Sequence, residues 1–362
     1  KKLLLPFYCL KLIKTRFMIK KVSIKHRSGI YAMYRKIQNE SWFTIAEFVD
    51  NAIQSFQANK SQLQEIDGPD FKLRIHIEIS PDYRIKIVDN AGGIDERNFQ
   101  RAFEPANKPL DPSGLSEFGM GMKIASIWLA DRYSVRTKCL SESVERYFQF
   151  DLQKVIAENQ EELEITEQNK PTAEHYTEVI LEELSANAPS TRQLATIKNH
   201  LASIYRKFLR TGEVEIFLNE EKLVFIESDI LFAPKYNDDT SDSLLWKKKI
   251  DISFGTYKVH GFIAVLAKIK QGRNGLSLFR RGRVIEGVGD KKYFPKKLTG
   301  SSGGFRHKRI FGELELEGFD VTYDKQRFTG NKDFDMLFDH IHRELISPDF
   351  PLLQQADHYR VK

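Results

Sequence analysis

The sequence predicts an α+β protein: a mixed sheet with helices on one face, followed by a second, β-rich domain. Three observations carry that prediction. Residues 42–56 (WFTIAEFVDNAIQSF) place apolar side chains at Phe43, Ile45, Ala46, Val49, Ala52, Ile53 and Phe56, the three-and-four spacing of a helix. Residues 71–79 (FKLRIHIEI) and 83–89 (YRIKIVD) alternate strictly and are separated by Pro81-Asp82, so they read as a half-buried hairpin. The second half alternates repeatedly in KKIDISF, YKVHGFIAVLAK, GLSLFRRGRVI and RIFGELELEGFDVT, a strand-rich pattern. At 362 residues the chain exceeds the usual size of one core, so two domains are expected.

The elements follow in order. The first residues, KKLLLPFYCLKLIKTRF, hold an apolar run from Leu3 to Ile13 broken by Pro6 and Lys11. That run is shorter than the ~20 apolar residues a membrane span needs, and no small-residue cleavage site follows it. Residues 1–17 are expected to be an extension or a fragment boundary, and the cytoplasm is the default compartment. After the predicted helix and hairpin come Gly-rich residues 89–93, a helix near 95–103 and a loop at 104–117 containing Pro105, Pro109 and Pro112. FGMGMKIASIWLADRY (118–133) reads as a Gly-rich entry into a helix. SVRTKCL, RYFQFDL and TEVILEEL read as strands, and the acidic stretch 158–176 reads as a surface insertion. Residues 190–210 are expected to be helical and 212–225 to form a strand–turn–strand pair. The boundaries assigned are 18–190 for the first domain, 191–346 for the second and 347–362 for a C-terminal tail.

Composition excludes several classes. Hydrophobic residues at 41% and charged residues at 29% are ordinary globular usage, which argues against a disordered or fibrous chain. Two cysteines, Cys9 and Cys139, supply neither a disulfide framework nor a four-ligand zinc site. The net charge of +6 conceals segregation. Residues 1–21 carry seven Lys/Arg and no acid, while 280–309 carry ten against Glu286 and Asp290, so the remainder of the chain is acidic. The strip at 280–309 is a candidate footprint for nucleic acid or phosphates, with a solvated face as the plainer reading.

The chemistry lies in three short motifs in fixed order: E-x-x-D-N at 47–51, D-N-A-G-G at 89–93 and G-M-G-M-K at 119–123. Each alone is weak, and the G-x-G pair fits neither the P-loop nor the dinucleotide-binding fingerprint. Together they describe a nucleotide site. Glu47 and Asn51 are four apart and share a helix face, where a carboxylate can orient water beside an amide oxygen able to ligate Mg²⁺. Asp89 ends a buried strand and can accept a hydrogen bond from an exocyclic amine. Gly92 and Gly93 let the backbone approach a flat ring. Gly119 and Gly121 open a helix and offer N–H groups to phosphates, and Lys123 adds a point charge.

This set resembles the Bergerat-fold (GHKL) ATPases, the superfamily of gyrase B, Hsp90, histidine kinases and MutL. The resemblance implies an ATP-binding α/β sandwich with Glu47 as general base and Asn51 as the Mg²⁺ ligand, the neighbouring Asp50 being grouped with the nucleotide-binding residues. It further implies that Asp89 reads the adenine amine, that Gly93 belongs to the adenine pocket and that residues 119–123 cradle the phosphates. Thr177 in YTEVIL matches a family threonine near adenine, although Tyr176 replaces the family glycine before it. Within the superfamily, SWFTIAEFVDNA and FGMGMKIASIWLADRY look most like the MORC ATPases, with Ala125 departing from the usual residue. AFEPANKP resembles their lid segment, which implicates Lys108 at the terminal phosphate. LFRRGRVI and DVTYDKQRF resemble a ribosomal-S5-like transducer domain, in which a lysine reaches the ATP site; this implicates Lys325 as a catalytic residue, with Gln326 beside it. With no zinc-finger cysteines and no long heptad segment, a compact prokaryotic-type relative is expected.

The function implied is slow, Mg²⁺-dependent ATP hydrolysis that drives lid closure and homodimerisation, with DNA engaged through 280–309 and no membrane role. The alternatives are a nucleotide-dependent interaction module without turnover and an Hsp90-like chaperone.

Overall fold

The long helix forms because its apolar residues recur on one flank, and it runs further than the periodicity indicates. The computed structural model describes residues 29–103, 114–115, 121–322 and 324–360. After a short α1 (Ile30–Tyr34), α2 spans Ser41–Asp67 and stops at Gly68, whose φ of 100° is readily open only to glycine. Its second half is polar and contributes only Phe56 and Leu63 to the buried set, so sequence periodicity fades there while the backbone stays helical.

The predicted hairpin is β1 (Leu73–Ser80) with β2 (Arg84–Asp89), antiparallel, with Ile77 opposite Ile87. Then come α3 (Glu96–Phe103), α4 (Gly121–Leu129), β3 (Ala130–Lys138), β4 (Val144–Asp151), α5 (Leu152–Glu158), β5 (Ile165–Asn169) and β6 (Tyr176–Leu184). After a 3₁₀ turn, α6 (Leu194–Ile204), α7 (Arg206–Thr211), β7 (Val214–Leu218) and β8 (Glu221–Lys222) follow. One eight-stranded mixed sheet results, ordered β5-β4-β3-β6-β2-β1-β7-β8, in which β1 and β7 run parallel. Helices α2, α4 and α6 pack together, with α2 and α4 against strands of the sheet. The inward positions Ile75, Ile77, Ile87, Val135, Val179, Leu181 and Ile216 form the core beneath them. The opposite face carries cross-strand ion pairs such as Lys86–Glu178 and Arg74–Glu215. This is the predicted arrangement of helices on one face.

The second unit begins with β9 (Phe232–Ala233) and β10 (Leu244–Leu245). It then builds a five-stranded sheet from β11 (Lys247–Phe254), β12 (Tyr257–Val265), β13 (Gly275–Arg280), β14 (Arg283–Glu286) and β15 (Ile310–Glu317), ordered β11-β12-β15-β13-β14. Helices α8 (Lys296–Thr299), α9 (Phe305–Arg309), α10 (Asn331–Leu345) and α11 (Leu352–His358) complete it.

Several expectations are corrected. The acidic stretch 158–176 contains the edge strand β5, fully exposed along its length, so burial left no alternation to read. The expected helix 118–133 ends at Leu129, where β3 takes over. Elements α6, α7 and β7, assigned to the second domain, belong to the first core through Ile197, Leu201, Tyr205 and Ile216. Along the chain the first core runs to Leu223 and the second begins at Leu231, while Phe279, Val284 and Val288 join the first. The expected tail holds α11, whose Leu352, Leu353 and Ala356 are buried in the second core. Lys108, Gly119, residues 1–17 and most of the loop 104–118 lie outside the described residues.

Candidate functional site

The site is built first by the spacing of α2. Asn51, Gln54, Ser55, Ala58 and Asn59 recur on one face and line a cavity of about 310 Å³. The residues 89–98 beyond β2, Thr177 and Val179 of β6, and Gly121, Met122 and Lys123 at the start of α4 close it. Thus Asn51, Asp89, Gly93, Gly121, Lys123 and Thr177, all named from sequence, surround one space. The polar residues Ser55, Asn59, Asn98 and Arg101 also line it and were not anticipated. The first two extend the Glu47–Asn51 stripe by further steps of four, so the sequence carried that signal.

Asp89 sits at the inner end of β2, opposite Ile75 on one side and Thr177 on the other. Its Oδ1 accepts a hydrogen bond from the Ala91 N–H at 2.9 Å. Burial pushes its carboxyl up to about 7, against the opposing pull of that bond and of His175. His175 steadies the turn, with Nδ1 2.9 Å from the Ala91 carbonyl and Nε2 2.7 Å from Asp67. Gly93 has a φ of 73°, and a Cβ there would overlap the Lys138 carbonyl, so this position requires glycine. Thr177 Oγ1 is 3.2 Å from Thr137 Oγ1, which accepts the Ile94 N–H at 3.0 Å.

Glu47 stands one turn before Asn51, at the cavity's rim, with its carboxylate against the backbone of Gly121. A Cβ at position 121 would collide with Glu47 Oε2, which explains glycine at that helix start. The first-turn N–H groups of a helix have no intrahelical partners, so the α4 end offers donors beside this carboxylate. Lys123 is buried and its Nζ lies 3.3 Å from the Arg101 carbonyl.

The second unit reaches this rim through one lysine. Lys325 Nζ lies 3.0 and 3.2 Å from the two Glu47 oxygens and 2.8 Å from Asp50 Oδ2. Burial would lower its pKa, but the carboxylates of Asp50 and Glu47 outweigh that and hold it above the ordinary lysine value. Asp50 differs from expectation: it is fully buried and does not line the cavity. Adjacent residues on a helix point about 100° apart, and here that turn carries Asp50 away from the cavity and toward the second unit. Its carboxylate instead accepts from Tyr205 Oη at 2.7 Å, Arg283 Nε at 3.0 Å and Lys325. Burial opposes ionisation there, yet Arg283 and Lys325 keep the carboxyl below the usual carboxylate range. Tyr205 was not anticipated, and Arg283 was anticipated only as one of the ten basic residues of the 280–309 strip.

No group of three His, Cys, Asp or Glu able to hold a metal occurs among the described residues. The Asn51 amide oxygen, lining the cavity, suits a Mg²⁺ that brings its remaining oxygens as phosphate and water. The basic strip is dispersed rather than laid out as one face. Arg283 and Arg309 are buried, Lys291 pairs with Glu40, Lys297 with Asp339 and Arg306 with Asp357. Lys296 and Lys308 remain exposed. Among the described residues no helix is long and apolar enough to cross a membrane.

Residues 39–184 match the family of histidine kinase-, DNA gyrase B-, and HSP90-like ATPases. The matched stretch contains every residue that lines the cavity, whereas Lys325 and Arg283 fall beyond it. No curated protein matches the chain.

Proposed function

We propose that this chain, whose residues 39–184 match that ATPase family, binds ATP in the cavity beside α2 and hydrolyses it slowly to time a conformational switch. One observation carries the reading. Six residues drawn from α2, the 89–93 turn, α4 and β6 converge on one cavity of about 310 Å³, a volume suited to a nucleotide-sized ligand. Asp89 accepts a hydrogen bond from the adenine amine, with Gly93 and Thr177 beside the ring. Gly121 and Lys123 meet the phosphates, together with Gly119 and Lys108 from outside the described residues. Glu47 takes the proton of the attacking water, and Asn51 ligates Mg²⁺, which supplies charge neutralisation on the phosphates.

Lys325 has a second part in the proposal. It neutralises Glu47 through the 3.0 Å ion pair, and turnover requires that the ammonium shift to the terminal phosphate, freeing Glu47 to act as base. Asp50, 2.8 Å away, keeps hold of the lysine during that exchange. The second unit thereby acts as a transducer of the S5-like kind, while the MORC-like reading of the chain rests chiefly on residues 41–52 and 118–133. The switch includes closure of the 104–118 segment and pairing of two copies, with duplex DNA held through exposed lysines such as Lys296 and Lys308.

Nucleotide choice tests the base pocket directly. At pH 8 Asp89 is ionised and accepts from the 6-amine of adenine, whereas guanine presents a carbonyl there, so ATP is expected to bind on the order of a hundredfold more tightly than GTP. Equal affinities would remove Asp89 from that role. Sizing in solution with a non-hydrolysable ATP analogue, with and without duplex DNA, tests the rest: an unchanged monomer contradicts the dimer, and salt-independent or absent DNA binding contradicts the DNA footprint.

A further inference from the structure

Arg283 lines no part of the nucleotide cavity, yet it is buried where the two units meet. It lies at the start of β14 in the second unit. Its Nε donates to Asp50 Oδ1 at 3.0 Å, its Nη1 points to the Lys325 carbonyl at 3.5 Å, and its guanidinium lies over the Phe43 ring, 5.2 Å from the centroid. Its Nη2 finds no hydrogen-bond partner among the described residues. A buried arginine with an unmet donor is poorly explained by stability, because apolar replacements of buried ion pairs are often neutral or stabilising.

The backbone it touches is itself constrained. Lys325 has a φ of 55°, in the left-handed region that a non-glycine residue enters only at an energetic cost. Its N–H donates to the Thr322 carbonyl at 2.8 Å, and Asp324 Oδ1 accepts from Gln326 N at 3.2 Å, closing a tight turn. With Arg283 at its carbonyl and Asp50 at its ammonium, Lys325 is fixed at both ends and aimed at Glu47. Tyr205 completes the anchor by donating to the same Asp50 oxygen that Arg283 uses.

We propose that Arg283 is a positioning residue for ATP turnover: acting through Asp50 and the Lys325 backbone, it sets the lysine of the second unit against the catalytic carboxylate. This rests on the hydrolytic role given above to Glu47 and Lys325. A guanidinium is required because its planar fork reaches the carboxylate and the carbonyl together, which a lysine ammonium does not.

The test compares ATP turnover, ATP affinity and thermal midpoint for the wild type, Arg283→Gln, Lys325→Ala and the double variant. Arg283→Gln is expected to lower kcat on the order of a hundredfold while ATP affinity is unchanged, since a displacement of the acting group near 1 Å has that effect. In the Lys325→Ala background the same change is expected to cost no further turnover. A purely structural arginine would instead lower turnover in both backgrounds, and such additive losses overturn the inference, as does an unchanged kcat in Arg283→Gln. If Arg283→Gln does not fold, Arg283→Lys serves in the same comparison, with an expected loss of kcat and no added loss beside Lys325→Ala. A wild type that binds ATP without turnover overturns the hydrolytic reading itself, which separates the two failures.

Discussion

Asp89 shows how one buried carboxyl serves a site at the expense of the fold. Its folded pKa of about 7 lies above that of an exposed aspartate, so between those values the folded state holds a proton that the unfolded chain has released. Stability contributed by this group therefore falls as pH rises toward 7. Asp89→Asn removes the charge and keeps an acceptor for the Ala91 N–H. The variant is expected to be more stable than the wild type at pH 8, by up to about 4 kcal/mol, with the difference shrinking toward pH 4. Denaturant midpoints across that range check it; a difference that does not change with pH would mean that Asp89 is not held protonated. The same variant is expected to bind ATP more weakly at pH 8, a trade of activity for stability common at functional sites. At this scale the gathering of Asp89, Asn51 and Gly93 around one cavity was legible from three motifs in fixed order, each of them weak alone. Asp50 was not, because a motif names neighbours without saying which way each one turns.

At the scale of elements, α2 carries three tasks on three flanks. Its apolar flank joins the sheet core, Asn51 and Asn59 face the cavity, and Asp50 faces the second unit. Glu47 lies between the last two, four residues before Asn51 and three before Asp50, so one carboxylate is adjacent to both. The start of α4 closes against it at Gly121. Alanine is the better helix former, so Gly121→Ala is not expected to weaken α4. Its Cβ would displace the Glu47 carboxylate, and turnover is expected to fall on the order of a hundredfold with the thermal midpoint little changed. Wild-type turnover in that variant would show that Glu47 does not need this position. Elements with a buried face, such as β1 and β2, were legible from alternation. The exposed edge strand β5 and the polar half of α2 were not, since nothing buried imposed a period on them.

At the scale of the molecule, the two units meet through charged contacts, and in one of them Asp50 gathers Tyr205, Arg283 and Lys325. The sequence revealed a basic segment at 280–309 but not its destination. A charge run reports sign, while the fold sends Arg283 and Arg309 inward and pairs Lys291, Lys297 and Arg306 with acids elsewhere. The domain boundary was likewise hidden, because β7 comes late in the chain yet pairs with β1 in the parallel sense. On the proposed function, two units meeting at a rim where Lys325 pairs with Glu47 couple chemistry to motion. Phosphate release measured for the wild type and for Glu47→Ala, with ATP affinity measured on both, tests that claim most directly. Slow release by the wild type is expected, with Glu47→Ala still binding ATP and releasing no phosphate. Undiminished release from Glu47→Ala would contradict it.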